Sequence, residues 1–211
     1  MRPSARHRPP LTASPGPRSN LRALPSEGRV GDAELVERAR RGDRSAEDAI
    51  FRRHVDTVAG LALHLLRHRS DMEDVVQDTF ILALGKLEGL RDGGALRPWL
   101  LQIAVSLIRR RLRRRRLLRF VGLNPGEADA PLDALASEAL DPEACAELAG
   151  LDRALAELPA EARIAWTLRY VEGEALDDIA FACGCSPSTA KRRIAAADAR
   201  VRLHVRLKEV P

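Results

Sequence analysis

Aromatic side chains are scarce in this chain, at 3% of 211 residues. A core with so few rings is filled by Leu, Ala, Val and Ile. With few period-two alternations, that composition favours helices over strands. Cysteine is scarcer still: Cys145, Cys183 and Cys185 make an odd set of three. That excludes a complete disulfide framework and suits free thiols in a reducing cytoplasm. Cys183 and Cys185 do not have the usual spacing of a zinc pair, and no His or second Cys pair accompanies them. Neither a metal nor a cofactor is expected. No apolar run approaches the roughly 18 residues of a membrane span. A Gly-rich phosphate loop and a Ser/His/Asp constellation are both missing, so no enzyme signature competes for the function.

Charge is what the chain has in quantity. Lys and Arg number 35 against 30 Asp and Glu, a net charge of +5. The excess suits a polyanionic partner, but its distribution says more than its sum. Between residues 109 and 119, eight of eleven residues are Arg. Like charges one helical turn apart repel, so this density calls for nearby acids or a polyanion. The plain alternative is a solvated basic tail.

Residues 1–30 are rich in Pro, Arg and Ser and have no apolar stripe. They read as a disordered basic extension, either a solvated arm or an overlong start of the reading frame. A helical module is expected over 31–119. Its first helix, 32–41, turns Leu35, Val36 and Ala39 inward and stops at Gly42. The second carries the stripe Phe51, Val55, Val58, Ala62 and Leu65. Ser70 and Glu73 form a capping box for the third, whose stripe is Met72, Val76, Phe80, Ala83 and Leu87. Residues 89–94, GLRDGG, read as a flexible loop. A fourth helix follows from about Arg97, with Leu100, Ile103, Ala104 and Leu107 inward, and runs into the arginines. His54, His64 and His68 read as surface or half-buried residues.

Residues 120–147 have Gly, Pro and acids but no stripe and read as a flexible linker. A second helical module is expected over 148–207. It opens with Leu148, Leu151, Leu155 and Leu158 on one helix, then Ala165, Leu168 and Val171 on another. It ends in a helix-turn-helix. Leu176, Ile179, Ala180 and Cys183 stripe a short helix that Gly184 closes. Ser186 caps the next helix and Pro187 takes its first turn. There Ala190, Ile194, Ala197 and Val201 face inward, leaving Ser188, Lys191, Arg192 and Ala195 on the other side. A small, polar, basic helix face suits the DNA major groove. The fold class is therefore all-α, two helical domains on a flexible linker.

Three stretches together resemble the bacterial sigma-70 family, in its two-domain extracytoplasmic-function branch. DMEDVVQDTF at 71–80 is similar to the helix that docks on the clamp helices of the polymerase β′ subunit. LRPWLLQIA at 96–104 is similar to the segment that opens the −10 promoter element. Residues 155–194 resemble the domain that reads the −35 element. The chain departs from the pattern at Ser106 and Arg110, where Asn and Asp are common, and at Leu82 and Leu84.

The resemblance implies promoter DNA and core RNA polymerase as partners, through the β′ clamp helices and β flap, with an anti-sigma factor as a further one. It assigns Glu73, Asp74, Gln77 and Asp78 to polymerase. Ser188, Lys191 and Arg192 are candidates for base edges or phosphates. Arg193, Arg200, Arg109, Arg113 and Arg114 are candidates for the DNA backbone. Trp99 fits either a stacking platform for an unpaired base or a core anchor behind Pro98. Two other classes fit parts of the sequence. A helix-turn-helix regulator that leaves the housekeeping sigma factor in place would not need 71–80. An RNA-binding or scaffold protein using the Arg run would not need the last sixty or so residues.

Overall fold

The computed structural model describes residues 30–121 and 154–208, and all regular structure among them is helical. The first module holds α1 (Asp32–Arg40), α2 (Arg44–Leu66), α3 (Arg69–Gly85), two single 3-10 turns (Leu87–Gly89 and Gly93–Ala95) and α4 (Leu96–Phe120). The second begins, among the described residues, with helical residues 154–156, followed by α5 (Ala160–Tyr170), α6 (Leu176–Cys183) and α7 (Pro187–Lys208). Residues 122–147 of the expected linker, Leu148 and Leu151 of the helix expected to follow it, and the extension before Val30 lie outside the described residues.

Each helix boundary has a local cause. In α1, Asp32 and Glu34 occupy the first turn and Arg38 and Arg40 the last, matching the helix dipole. Gly42, at φ 83°, breaks the chain direction. Asp43 then caps α2 by accepting from the backbone N–H of Ser45 and Ala46. Bonds from Ser45 and Arg38 hold its carboxyl down at about 2. Arg67 closes α2 in the left-handed conformation, with its N–H on the Leu63 carbonyl. That reversal leaves His68, not Ser70, at the N-cap of α3, so the expected start is two residues late. Glu73 pairs with Arg69 instead, at 2.8 Å.

The inward faces of α2 and α3 keep Val58, Ala62, Leu65, Phe80, Ala83 and, just past α3, Leu87 of the expected stripes, but their N-terminal halves are rotated by about one residue, away from Phe51, Val55, Met72 and Val76. The buried set in α2 is Ala46, Ile50, His54, Val58, Leu61, Ala62, Leu65 and Leu66. Phe51 is 41% exposed and meets Phe80 only edge-on, with ring centroids 4.8 Å apart. The face is centred on His54, a polar residue that an apolar count passes over. His54 is buried rather than superficial because Asp32 of α1 lies 3.0 Å from its Nε2. Burial alone would raise the Asp32 carboxyl, but the His54 imidazole close beside it and the hydrogen bond from Arg53 hold it below its ordinary value. In α3 the buried residues are Val75, Thr79, Phe80 and Ala83.

The 89–94 segment is pinned rather than loose. Arg40 donates to the carbonyls of Leu87 and Leu90, Leu90 is buried, and Asp92 caps the second 3-10 turn. At Gly93, a Cβ would sit 2.8 Å from the Ala33 backbone Cα. Backbone cannot swing aside as a side-chain tip can. Gly93→Ala should therefore push α1 away and lower stability by about 1 kcal/mol or more, read from denaturant melts.

Helix α4 is the spine. Its buried residues Leu96, Leu100, Leu101, Ala104, Val105 and Ile108 face α2 and α3 on one side, and α6 with α5 on the other. Full burial of each such Leu or Ile contributes about 1.5–3 kcal/mol. In the second module α5 is central. Ala162, Ile164, Ala165, Trp166, Thr167 and Leu168 are buried, whereas Val171, expected inside, is exposed just past the helix end. Leu155, Ala162, Trp166 and Ala197 form one cluster, with Leu158 and Val201 packed against it.

Candidate nucleic-acid and protein interfaces

The helix-turn-helix has the local geometry its residues dictate. Gly184 is left-handed at φ 60°, and its N–H bonds back to Phe181. The Thr189 N–H donates to Ser186 Oγ at 3.2 Å, which is the N-cap bond of α7. Ala190 and Ala197 are fully buried against α5 and α6, with Ile194 and Val201 half-buried beside them. The outer face carries Ser188, Lys191, Arg192 and Ala195, all exposed. Arg200 is exposed too, but it pairs with Glu157 across the module's own surface. Arg193 is drawn inward, with Nη1 3.1 Å from Glu161 Oε2.

Tertiary structure sorts the Arg run of α4 into two sets. Arg111 lies 3.7 Å from Asp71, 3.3 Å from Asp74 and 3.4 Å from Asp78 of α3. Arg115 also pairs with Asp71 and donates to the Leu66 carbonyl at 2.7 Å. Arg109 turns to the second module and grips Glu161 with two hydrogen bonds, Nε at 2.8 Å and Nη2 at 2.6 Å. Arg110, Arg113, Arg114 and Arg116 are exposed, and none has an ion pair among the described residues. The density of positive charge is thus relieved partly by acids, with one strip left for solvent or a polyanion.

Along α3 a single outer face runs from acidic to apolar. Glu73, Asp74 and Gln77 are exposed and Asp78 half-exposed. One turn further, Ile81 is 61% exposed and Leu82 is exposed as well. Two large apolar side chains beside a row of acids are poor ligands for DNA and good ones for a basic, amphipathic protein helix. Sequence reasoning missed Ile81, and noted Leu82 only as a departure from the family pattern. The signal was available, since both lie off the buried Val75–Thr79–Ala83 line. Trp99 is half-buried in the first turn of α4.

The two modules meet along α4. Arg97 donates to Glu174 Oε1 at 2.7 Å and to Thr57 Oγ1 at 2.9 Å, and Glu174 is nearly inaccessible. Burial raises the Glu172 carboxyl, against the opposing pull of His64 and Arg97. Gln102 Nε2 donates to the Phe181 carbonyl at 3.3 Å. Beside it an open pocket of about 430 Å³ is lined by Leu82, Gln102, Ser106, Arg109 and Gly184 among others. None of these junction acids was singled out in the sequence, because nothing local distinguishes Glu161 or Glu174 from a solvated Glu. Cys183 and Cys185 are free thiols, and burial pushes the Cys183 thiol up to about 11.

Comparison with known proteins follows the same division. The Sigma-70 region 2 family model matches residues 50–117, and the Sigma-70, region 4 model matches residues 148–200. The chain is 34% identical to the ECF RNA polymerase sigma factor SigM of Mycobacterium tuberculosis, over 81% of this chain and 82% of that one. It is 32% identical to the ECF RNA polymerase sigma-E factor of Haemophilus influenzae, over 77% of this chain and 89% of that one. Among solved structures it resembles CnrH in complex with the cytosolic domain of CnrY. There the TM-score is 0.63 at 23% identity, covering 83% of this chain and 97% of that one.

Proposed function

This chain belongs to the sigma-70 family, in its ECF branch, and from that premise we propose how its residues divide the work of an alternative sigma factor. Such a factor binds core RNA polymerase and directs promoter recognition, strand opening and transcription initiation. Residues 31–119 serve as the region 2-like module, for core polymerase and the −10 element. Residues 148–207 serve as the region 4-like module, for the −35 element, with 120–147 linking them. The cytoplasm, where promoter DNA is found, is the compartment this implies.

In this reading Ser188, Lys191 and Arg192 enter the major groove, and Arg200 lies on its flank. Arg113 and Arg114 follow the backbone, where charge counts and sequence does not. Trp99 borders the strand opened at −10. A base leaving the stack costs a few kcal/mol, which stacking and hydrogen bonds to the extruded base offset. Glu73, Asp74, Gln77 and Asp78, with Ile81 and Leu82, meet the polymerase. CnrH was solved with the cytosolic domain of CnrY, and an anti-sigma partner for this chain is a proposal of the same kind.

One observation carries the reading: a single chain presents a capped, exposed recognition helix and, on a separate helix, an acidic-to-apolar face unsuited to DNA. A regulator acting on duplex DNA alone has no use for the second. Gel filtration of the chain with core RNA polymerase tests it. A stoichiometric complex is expected, and a chain that elutes apart from core while still binding duplex DNA would favour the simple regulator.

A further inference from the structure

Helix α1 grips the approach to the strand-opening segment through one side chain. The Arg40 guanidinium donates Nε and Nη2 to the Leu87 carbonyl, both at 3.2 Å, and Nη2 also to the Leu90 carbonyl. Its remaining nitrogen, Nη1, bonds to Glu37 one turn back on α1. All three nitrogens are thus engaged, and the side chain is mostly covered. The two carbonyls belong to residues 47 and 50 positions further along the chain.

The held stretch has three glycines among residues 89–94, so a free chain there would have much backbone entropy to lose. Leu87 and Leu90 are buried on its inner side. Glu88, Gly89, Arg91, Asp92 and Gly94 are turned to solvent. Asp92 accepts from the Gly94 N–H at 2.8 Å and starts the second 3-10 turn, from which α4 continues at Leu96 without a break. The place of this turn is therefore the place at which α4 begins, and Trp99 lies in the first turn of α4. Stacking and base-edge bonds are lost when a partner is displaced by about 1 Å. A stretch already held by α1 incurs no ordering cost when an unpaired base arrives.

We propose that Arg40 is a positioning residue for promoter opening: by clamping the Leu87 and Leu90 carbonyls it presets the turn from which α4 starts, and so sharpens the choice of bases at the −10 element. That role rests on the promoter reading above. Arg40 itself touches no DNA. Arg38 gives the contrast, since it carries the same charge on the same helix but donates to Asp43 at 2.9 Å and Ser45 at 3.1 Å, at the corner of α1 and α2. Arg40→Lys keeps the charge but loses the planar fork that spans two carbonyls.

Holoenzyme is assembled from core RNA polymerase and the full chain as parent, Arg40→Gln, Arg40→Lys and Arg38→Gln. Initiation is measured on a promoter fragment that the parent uses and on versions with single base changes at −10 or −35. The readout is the ratio of initiation between fragments, which a smaller fraction of folded protein does not move. Arg40→Gln should lower initiation on the best fragment about tenfold, the worth of one charge-assisted hydrogen bond. It should also compress the −10 ratios about fivefold and leave the −35 ratios within about twofold. Arg40→Lys should fall between, and Arg38→Gln should keep every ratio. Full −10 preference in Arg40→Gln, or equal compression in Arg38→Gln, overturns the proposal. Amide exchange over residues 87–95 should be faster in Arg40→Gln than in Arg38→Gln, and equal exchange removes the clamp and overturns the proposal on its own. A parent chain that gives core polymerase no start sites removes the promoter reading, and the proposal with it, whatever the exchange shows.

Discussion

Charge reversal of Asp74 to Arg should weaken assembly with core RNA polymerase by roughly 30-fold, about 2 kcal/mol. Asp74 is 64% exposed and sits mid-face between Glu73 and Gln77 on α3. Its one partner among the described residues is Arg111, which keeps Asp71 and Asp78 when Asp74 is lost. The fold therefore has little at stake, and helicity and melting temperature should stay close to those of the parent. A basic partner helix, by contrast, would meet a like charge in place of an opposite one, and like-charge juxtaposition at an interface is repulsive. Binding of the full-length variant to duplex DNA should be little changed, since α3 carries none of the residues assigned to DNA. Unchanged affinity for core, measured by anisotropy or surface resonance, would remove polymerase docking from this face.

Arg192→Ala should cost roughly 1–3 kcal/mol of specific DNA binding and relax sequence preference at one or two positions. Arg192 is exposed on the outer face of α7, between one and two turns in from the Ser186 cap. Its neighbour Arg193 is held by Glu161, so the two adjacent arginines are not equivalent. Replacing Arg113 and Arg114 together should do something else. Both are exposed on α4, in the strip that the acids of α3 leave alone. Their loss should weaken binding to every sequence alike and flatten its salt dependence by roughly one unit of slope per lost phosphate contact. Selection from randomised duplex DNA at two salt concentrations reads both effects. If the Arg192→Ala protein keeps its full preference while the Arg113/Arg114 protein loses it, the two roles are reversed.

Local chemistry was legible and long-range pairing was not. Gly184, Ser186 and Pro187 act on their own backbone, so the helix-turn-helix could be read letter by letter, down to the cap bond at Thr189. The inward line of α1, Leu35, Val36 and Ala39, needed only its spacing. In α2, two lines at helical spacing competed, and the one through His54 won because Asp32 answers the imidazole from another helix. Ser70 had the right type for a cap. The left-handed turn at Arg67, a residue not usually found there, moved the helix start ahead of it. The GLRDGG segment looked loose because its restraints, from Arg40 and Ala33, come from some fifty to sixty residues away. The Arg run was legible as charge in need of relief. Which arginines meet acids and which stay free depends on the register of α4 against α3 and α5, and no periodicity in the run itself encodes that.

Initiation itself is the most direct measure of the central claim. Core RNA polymerase is given a library of promoter fragments, with and without the chain, and transcript starts are mapped. The expected result is initiation at a defined subset of fragments that appears only when the chain is added. Within that subset −35 choice shifts in the Arg192→Ala protein, and initiation falls in the Asp74→Arg protein. The contradicting result is a chain that binds duplex DNA, even selectively, yet gives core polymerase no new start sites.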